Sequence, residues 1–170
     1  MKNSCCCLLT FLILFNYSLS QDDSSLVIKS SFYGISLKKL DSIIDTGKTY
    51  IGIKYVYGGR SPSGFDCSGL IHYMFKIHGL KISRTSFYLS KMGQKIPFDK
   101  TQKGDLLFFK GRNISNPTIG HIAICVENNE GCLKMLHATK AGVMIDVFHE
   151  KSYYPKRFLF AKRFLKISAP

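Results

Sequence analysis

At 170 residues, with 45% apolar and 21% charged side chains, the chain supports one domain with a real core and needs no second. Its formal charge of +13 suits an anionic partner such as wall polymer, membrane surface or nucleic acid, without choosing among them. The lysines are scattered and the aromatics fall at core-like spacings, so nothing in the pattern resembles a nucleic-acid-binding motif.

Met1-Lys2-Asn3 leads into an apolar stretch from Cys5 to Phe15, then Tyr17-Ser18-Leu19-Ser20, with small residues at the minus-three and minus-one positions before Gln21. This is the pattern of a secretory signal peptide over residues 1–20, cut after Ser20. The apolar run is too short to span a bilayer and Asn16 interrupts its end, so no membrane span is expected in the mature chain. A lipoprotein needs a cysteine after the apolar region, whereas Cys5, Cys6 and Cys7 begin it. Export argues further against a nucleic-acid partner. Cleavage leaves Cys67, Cys125 and Cys132, an odd count that points to at least one free thiol. Asn113-Ile114-Ser115 is a formal glycosylation sequon, meaningful only in a eukaryotic secretory pathway, and is read as chance.

Residues 21–35 read as a linker, and residues 36–166 as the folded domain. Leu37, Leu40, Ile43, Ile44 and Ile51 recur at helical spacing from a Ser36 cap to Gly52, despite Gly47 in the interior. The turn-rich segment Tyr55-Val56-Tyr57-Gly58-Gly59-Arg60-Ser61-Pro62 follows. Asp66 is a good N-cap, and Leu70, Ile71, Met74, Phe75 and Ile77 give the spacing of a buried helix that stops at Gly79. Cys67 therefore sits in the first turn, where unpaired N–H groups and the helix dipole favour a thiolate and so a nucleophile. The competing reading is a buried structural cysteine. A short helix runs from Ser86 to Met92 and ends at Gly93.

Strands follow. Lys103-Gly104-Asp105 turns into the fully apolar Leu106-Leu107-Phe108-Phe109, and Gly111 to Thr118, with its Gly, Asn, Ser and Pro, reads as a loop. His121 to Val126 and Cys132 to His137 make a hairpin. With its turn at Asn129 and Glu130, Cys132 would face Glu127 and Cys125 would face Lys134, so both cysteines are read as small core residues. Val143 to Phe148 and Phe158 to Leu165 complete the strands. Helices first and an antiparallel sheet second is the α+β pattern, with the cysteine helix packed on the sheet.

A cysteine nucleophile needs a base and a group that orients the base. His72 and His78 share the helix with Cys67 and lie too far along or around it to reach the thiol. His121 opens a strand and His137 closes its hairpin partner, so both lie at one end of the sheet. Two unrelated strand-end histidines are the alternative.

Phe65-Asp66-Cys67-Ser68-Gly69-Leu70, preceded by Tyr55-x-Tyr57-Gly58-Gly59, then Arg84-Thr85-Ser86, Gly104 to Phe109, His121-Ile122-Ala123-Ile124 and His137-Ala138, together resemble the NlpC-type family of papain-like cell-wall endopeptidases. The resemblance runs from about Leu37 to Leu165. It implies a papain-like α+β fold in which Cys67 attacks a peptide carbonyl, His121 is its general base and His137 orients His121. It also implies that Tyr55 helps position substrate or the oxyanion. Asp66 and Ser68 flank the nucleophile and, in some members, hold a free amine of the substrate; for Asp66 a helix cap is the other reading. Arg84 is a structural ion-pair partner or a substrate contact. The implied substrate is a peptidoglycan stem peptide cut next to diaminopimelate, with no metal or organic cofactor required. A monomer, exported to the periplasm or secreted, is expected. Related papain-like domains act as amidases or acyl transferases, and a catalytically silent wall-binding domain is the reading from another class.

Overall fold

A computed structural model describes residues 32–129 and 131–168, so the expected signal peptide and residues 21–31 of the linker lie outside the described residues. The chain enters through strand β1 (Tyr33–Ser36) and helix α1 (Leu37–Lys48), whose cap is Ser36, its side chain accepting from the Lys39 N–H at 3.2 Å. The last three residues assigned to the linker are thus strand. Helix α1 ends four residues short of Gly52, and residues 49–52 form turns instead. Gly47 has a packing reason. A Cβ there would lie 2.5 Å from Leu136 Cδ2 and 2.6 Å from the end of Met74, so a side chain would push α1 off its neighbours.

A two-residue hairpin, β2 (Arg60–Ser61) and β3 (Gly64–Phe65), delivers the chain to α2 (Cys67–Ile77). Asp66 caps α2 as expected, its carboxylate accepting from the Gly69 N–H at 2.6 Å. Leu70, Ile71, Met74 and Phe75 are wholly buried. Each such side chain contributes roughly 1.5–3 kcal/mol relative to exposure, which fixes the face that α2 presents to the sheet. Helix α3 (Ser86–Leu89), capped by Thr85, is shorter than the expected helix.

Six strands form one antiparallel sheet. They are β4 (Gln94–Ile96), β5 (Leu106–Lys110), β6 (Ile119–Asn129), β7 (Cys132–Thr139), β8 (Gly142–Val147) and β9 (Phe158–Arg163), in the order β4-β9-β5-β6-β7-β8. The apolar run of β5 follows from its central place. Leu106 and Phe108 join the core under the helices, and Leu107 and Phe109 join a second core on the opposite face with Phe148 and Tyr154. That second face is covered by α4 (Tyr153–Arg157) and the segment before it, which sequence patterning did not indicate, just as it did not indicate β4 or the β2–β3 hairpin. The expected final strand is two. After the fully buried Phe164, β10 (Leu165–Ser168) leaves the sheet and pairs in parallel with β1.

The β6–β7 hairpin turns one residue later than expected. Asn129 pairs with Cys132 and Glu127 with Lys134, and a bulge at Val126 then sets Cys125 opposite Met135. Glu127 and Lys134 form an ion pair at 2.9 Å. Cys125 is buried in the second core, as expected, but Cys132 is exposed because it sits at the hairpin tip, beyond the core. Cys67, Cys125 and Cys132, the cysteines among the described residues, are free thiols. No helix among the described residues is long and apolar enough to cross a membrane.

Candidate active site

Cys67 is the first residue of α2 and is half-buried. The segment before it is held by backbone pairing. The Val56 N–H donates to Phe65 O at 3.0 Å, the Phe65 N–H to Lys54 O at 3.2 Å and the Asp66 N–H to Gly59 O at 3.1 Å. Tyr55 is bridged to Phe65, two residues before the nucleophile candidate. A Cβ on Gly69 would sit 1.9 Å from Gly59 O, so only glycine lets this loop lie against the start of the helix.

Asp66 anchors the arrangement. Its Oδ1 accepts from Gly69 N, from Arg84 at 3.0 Å and from Ser68 Oγ at 3.3 Å; its Oδ2 accepts from Arg84 at 2.7 Å and from Gly58 N at 3.0 Å. Arg84 also donates to Ser68 Oγ at 3.0 Å and to Gly59 O at 3.1 Å. A carboxylate offers about four lone-pair sites. Asp66 is saturated by the protein's own donors, which favours its role as cap and anchor and makes Arg84 its structural partner.

Ile122 and Cys67 pack in one core, where the head of α2 meets β6, and the Ile122 backbone N–H favours the Cys67 thiolate; His121 precedes Ile122 on that strand. From His121 a chain of side chains runs back through the sheet. His121 Nε2 and His137 Nδ1 are 2.9 Å apart, and His137 Nε2 lies 3.2 Å from Asp146 Oδ2. Asp146 also accepts from Lys151 Nζ at 2.7 Å through Oδ1 and from the Tyr154 hydroxyl through Oδ2. His137 and Asp146 are on adjacent strands, where His137 pairs with Met144 and Asp146 lies diagonally across on the same face. Sequence reading missed Asp146. The one available signal was an acid alternating with apolar Met144 and Phe148 on a buried strand face. His72 and His78 stand apart as expected, bonded to Ile82 O at 3.0 Å and to Thr46 Oγ1 at 2.8 Å respectively.

The hydrogen bonds fix the protons. Burial raises the Asp146 carboxyl, but hydrogen bonds from Lys151 and Tyr154 and the charges of His137 and Lys151 more than offset this and leave it below its ordinary value. The carboxylate only accepts, so His137 Nε2 carries a proton and donates to it. Neutral His137 then presents Nδ1 as an acceptor. His121 must donate from Nε2, and its Nδ1 keeps the lone pair. Burial, with His137 nearby, lowers His121 to about 3. Burial also lowers His137, against the pull of Asp146. For Cys67, burial pushes the thiol up, overcoming the backbone N–H groups of Ile122, Ser68 and Cys67 that favour the thiolate. The expected low-pKa thiol is thereby corrected. The helix N-terminus does favour the anion, but the enclosing structure outweighs it, and the resting pair is neutral thiol and neutral imidazole.

Burial, followed by the charges of Cys67 and Asp66, raises the Tyr55 phenol, which therefore stays protonated as a donor beside the sulfur. Tyr55, His121 and His137 all line a cleft of about 530 Å³. No cluster of three or more metal-binding side chains occurs among the described residues.

A helix-headed cysteine packed on an antiparallel sheet that carries a hydrogen-bonded histidine pair defines a papain-like α+β protein. The chain belongs to the NlpC/P60 family, whose model matches residues 52–163. It is 36% identical over 124 residues to the gamma-D-glutamyl-L-lysine dipeptidyl-peptidase of Bacillus subtilis (strain 168), covering 72% of this chain and 40% of that protein. It is 31% identical over 128 residues to the murein DD-endopeptidase MepS/murein LD-carboxypeptidase of Escherichia coli (strain K12), covering 74% of this chain and 63% of that protein. The crystal structure of an NlpC/P60 family protein from Bacillus cereus ATCC 10987 superposes with a TM-score of 0.65 at 33% identity, covering 75% of this chain and 40% of that one. The chain thus spans 40% and 63% of the lengths of these two curated relatives.

Proposed function

We propose that this protein is an exported cysteine endopeptidase that hydrolyses peptide bonds of peptidoglycan stem peptides next to diaminopimelate, in cell-wall remodelling or turnover. The observation that carries the reading is the hydrogen-bonded chain His121–His137–Asp146 behind a helix-headed cysteine. It leaves His121 with a free lone pair at Nδ1 on the strand against which the head of α2 packs, which supports the base that nucleophilic acyl transfer requires. The names of the two curated relatives, both peptidases and one a murein hydrolase, support the substrate class.

In this mechanism the Cys67 sulfur attacks the peptide carbonyl carbon while its proton passes to His121 Nδ1. The carbonyl π electrons move to oxygen, and the backbone N–H of Cys67 with the Tyr55 hydroxyl stabilise that oxyanion. Collapse expels the amine, which takes the proton from His121, and leaves a thioester on Cys67. Water then gives a proton to His121 and attacks the thioester; the thiolate leaves with that proton and frees the carboxylic acid. Cys67 and His121 are catalytic residues, and His137 and Asp146 are positioning residues that hold the base in one tautomer. Asp66, Ser68 and Arg84 brace the head of the nucleophile helix.

Digestion of diaminopimelate-type peptidoglycan and its soluble muropeptides, read by mass spectrometry with Cys67→Ala as control, tests the proposal. Products that differ by one water at a single stem-peptide bond, absent from the control, are expected and name the bond. Intact substrate after incubation with folded protein overturns it and favours wall binding without catalysis; transfer of the acyl group to an added amine favours a transferase.

A further inference from the structure

The cleft beside His121 holds a group of charges that the mechanism above does not use. Its lining includes Lys110 at the end of β5, Arg112 in the following loop, Lys140 in the β7–β8 turn and Arg157 at the end of α4. No aspartate or glutamate lines it. These four cations come from three separate stretches of chain, and none takes part in a salt bridge among the described residues. Lys48, Arg84, Lys134, Lys151 and Arg163, by contrast, are paired with carboxylates. Arg157 is held in place without being neutralised. Its guanidinium carbon lies 4.0 Å from the centre of the Tyr153 ring, and its Nε is buried with no hydrogen-bond partner. A guanidinium held by stacking on an aromatic ring and unpaired with any carboxylate is a preorganised receptor for a planar anion.

The position of the cleft says which part of a substrate occupies it. His121 gives its proton to the departing amine, so the chain beyond that nitrogen must run past His121. The cleft is lined by His121 and His137, with Cys67 outside its lining. We propose that it binds the leaving half of the substrate and selects a peptide whose leaving half carries at least two free carboxylates, against the same peptide with those carboxylates amidated. This rests on the endopeptidase reading. It adds a selectivity: a leaving residue with a side-chain carboxylate and a nearby chain-terminal carboxylate is cut in preference to its amide. A concave site lined by one sign of charge concentrates an anionic ligand, and amidation removes the charge while keeping the shape.

The test compares two stem peptides that differ only by amidation of the carboxylates on the leaving residue and the chain terminus. The ratio of their kcat/KM values, taken on one enzyme preparation, cancels any loss of folded protein. The native protein is expected to prefer the acid by about tenfold or more, the size of effect that lost charge-assisted hydrogen bonds produce. The ratio is expected to fall toward one in Arg112→Gln/Arg157→Gln. Equal values in the native protein, or a preference that survives the double substitution, overturn the proposal. A second measurement separates it from the endopeptidase reading. Calorimetric binding of the leaving-half dipeptide, acid against amide, to Cys67→Ala protein reads the cleft without turnover. Salt-sensitive binding of the acid alone supports the site even if no bond is cut, and equal or absent binding of both refutes it.

Discussion

Replacing Asp146 by asparagine tests the proton arrangement because it keeps the shape and alters only what one side chain can accept. In the native protein Oδ1 takes Lys151 at 2.7 Å, and Oδ2 takes His137 at 3.2 Å together with Tyr154. An asparagine has one oxygen for these two positions. A hydrogen bond to a charged donor contributes about 1.5–3 kcal/mol and one between neutral groups about 0.5–1.5 kcal/mol, so Lys151 claims the oxygen by about 1–1.5 kcal/mol. The amide nitrogen then faces His137 Nε2, which must accept. His137 turns to its Nδ1–H tautomer, His121 follows, and the His121 Nδ1 that should take the thiol proton already holds one. A bias of about 1.4 kcal/mol leaves about a tenth of the molecules correctly protonated. The expected loss in kcat/KM is therefore about tenfold, with a ceiling of about 10⁴-fold, the cost of a wholly wrong tautomer in a serine triad. Adding Lys151→Met removes the competitor and lets the oxygen turn back to His137, so Asp146→Asn/Lys151→Met should recover most of the activity. The assay is steady-state cleavage of a soluble stem peptide, with thermal unfolding of each variant alongside. Native activity in Asp146→Asn, or a double variant no better than the single one, would refute the reasoning.

Cys67→Ala and His121→Ala should each abolish turnover while leaving the unfolding midpoint near that of the native protein, and His137→Ala should retain a residue of activity, all read by muropeptide cleavage. Arg84→Met strips the main partner from Asp66, whose side chain is only 12% exposed; breaking a buried pair of this kind is expected to cost about 3 kcal/mol in urea unfolding. The histidines make stability fall in acid. Folded His121 sits at about 3 against an ordinary 6.5, and His137 is lowered in the same direction. Above pH 6.5 both folded and unfolded states hold them neutral, whereas below it only the unfolded state gains protons. Urea midpoints should therefore decline as pH falls from 6.5 toward 3, and His121→Gln should flatten that decline. The same direction predicts that kcat/KM keeps its value below pH 6.5, with no acid limb at the ordinary histidine position.

What the sequence determined by itself is what local physics controls. Asp66 capping a run of Leu70, Ile71, Met74 and Phe75 specifies α2 and the place of Cys67 at its head, because a cap and an apolar face are set within a few residues. Two apolar runs about a polar tip specify the β6–β7 hairpin, and with it the two histidines at one end of the sheet. The one-residue error in the turn shows the limit: the Val126 bulge answers to packing across strands and leaves no mark in the pattern. The rest needed the tertiary structure. Asp146 is nine residues from His137 along the chain and reads as one more polar residue until β8 is laid against β7. The four cations of the cleft are dispersed from Lys110 to Arg157 and become one charged surface only when β5, the β7–β8 turn and α4 converge. Helix position alone says that Cys67 favours the thiolate. Enclosure by the sheet reverses that, because desolvating an anion costs more than the backbone donors at the helix head return.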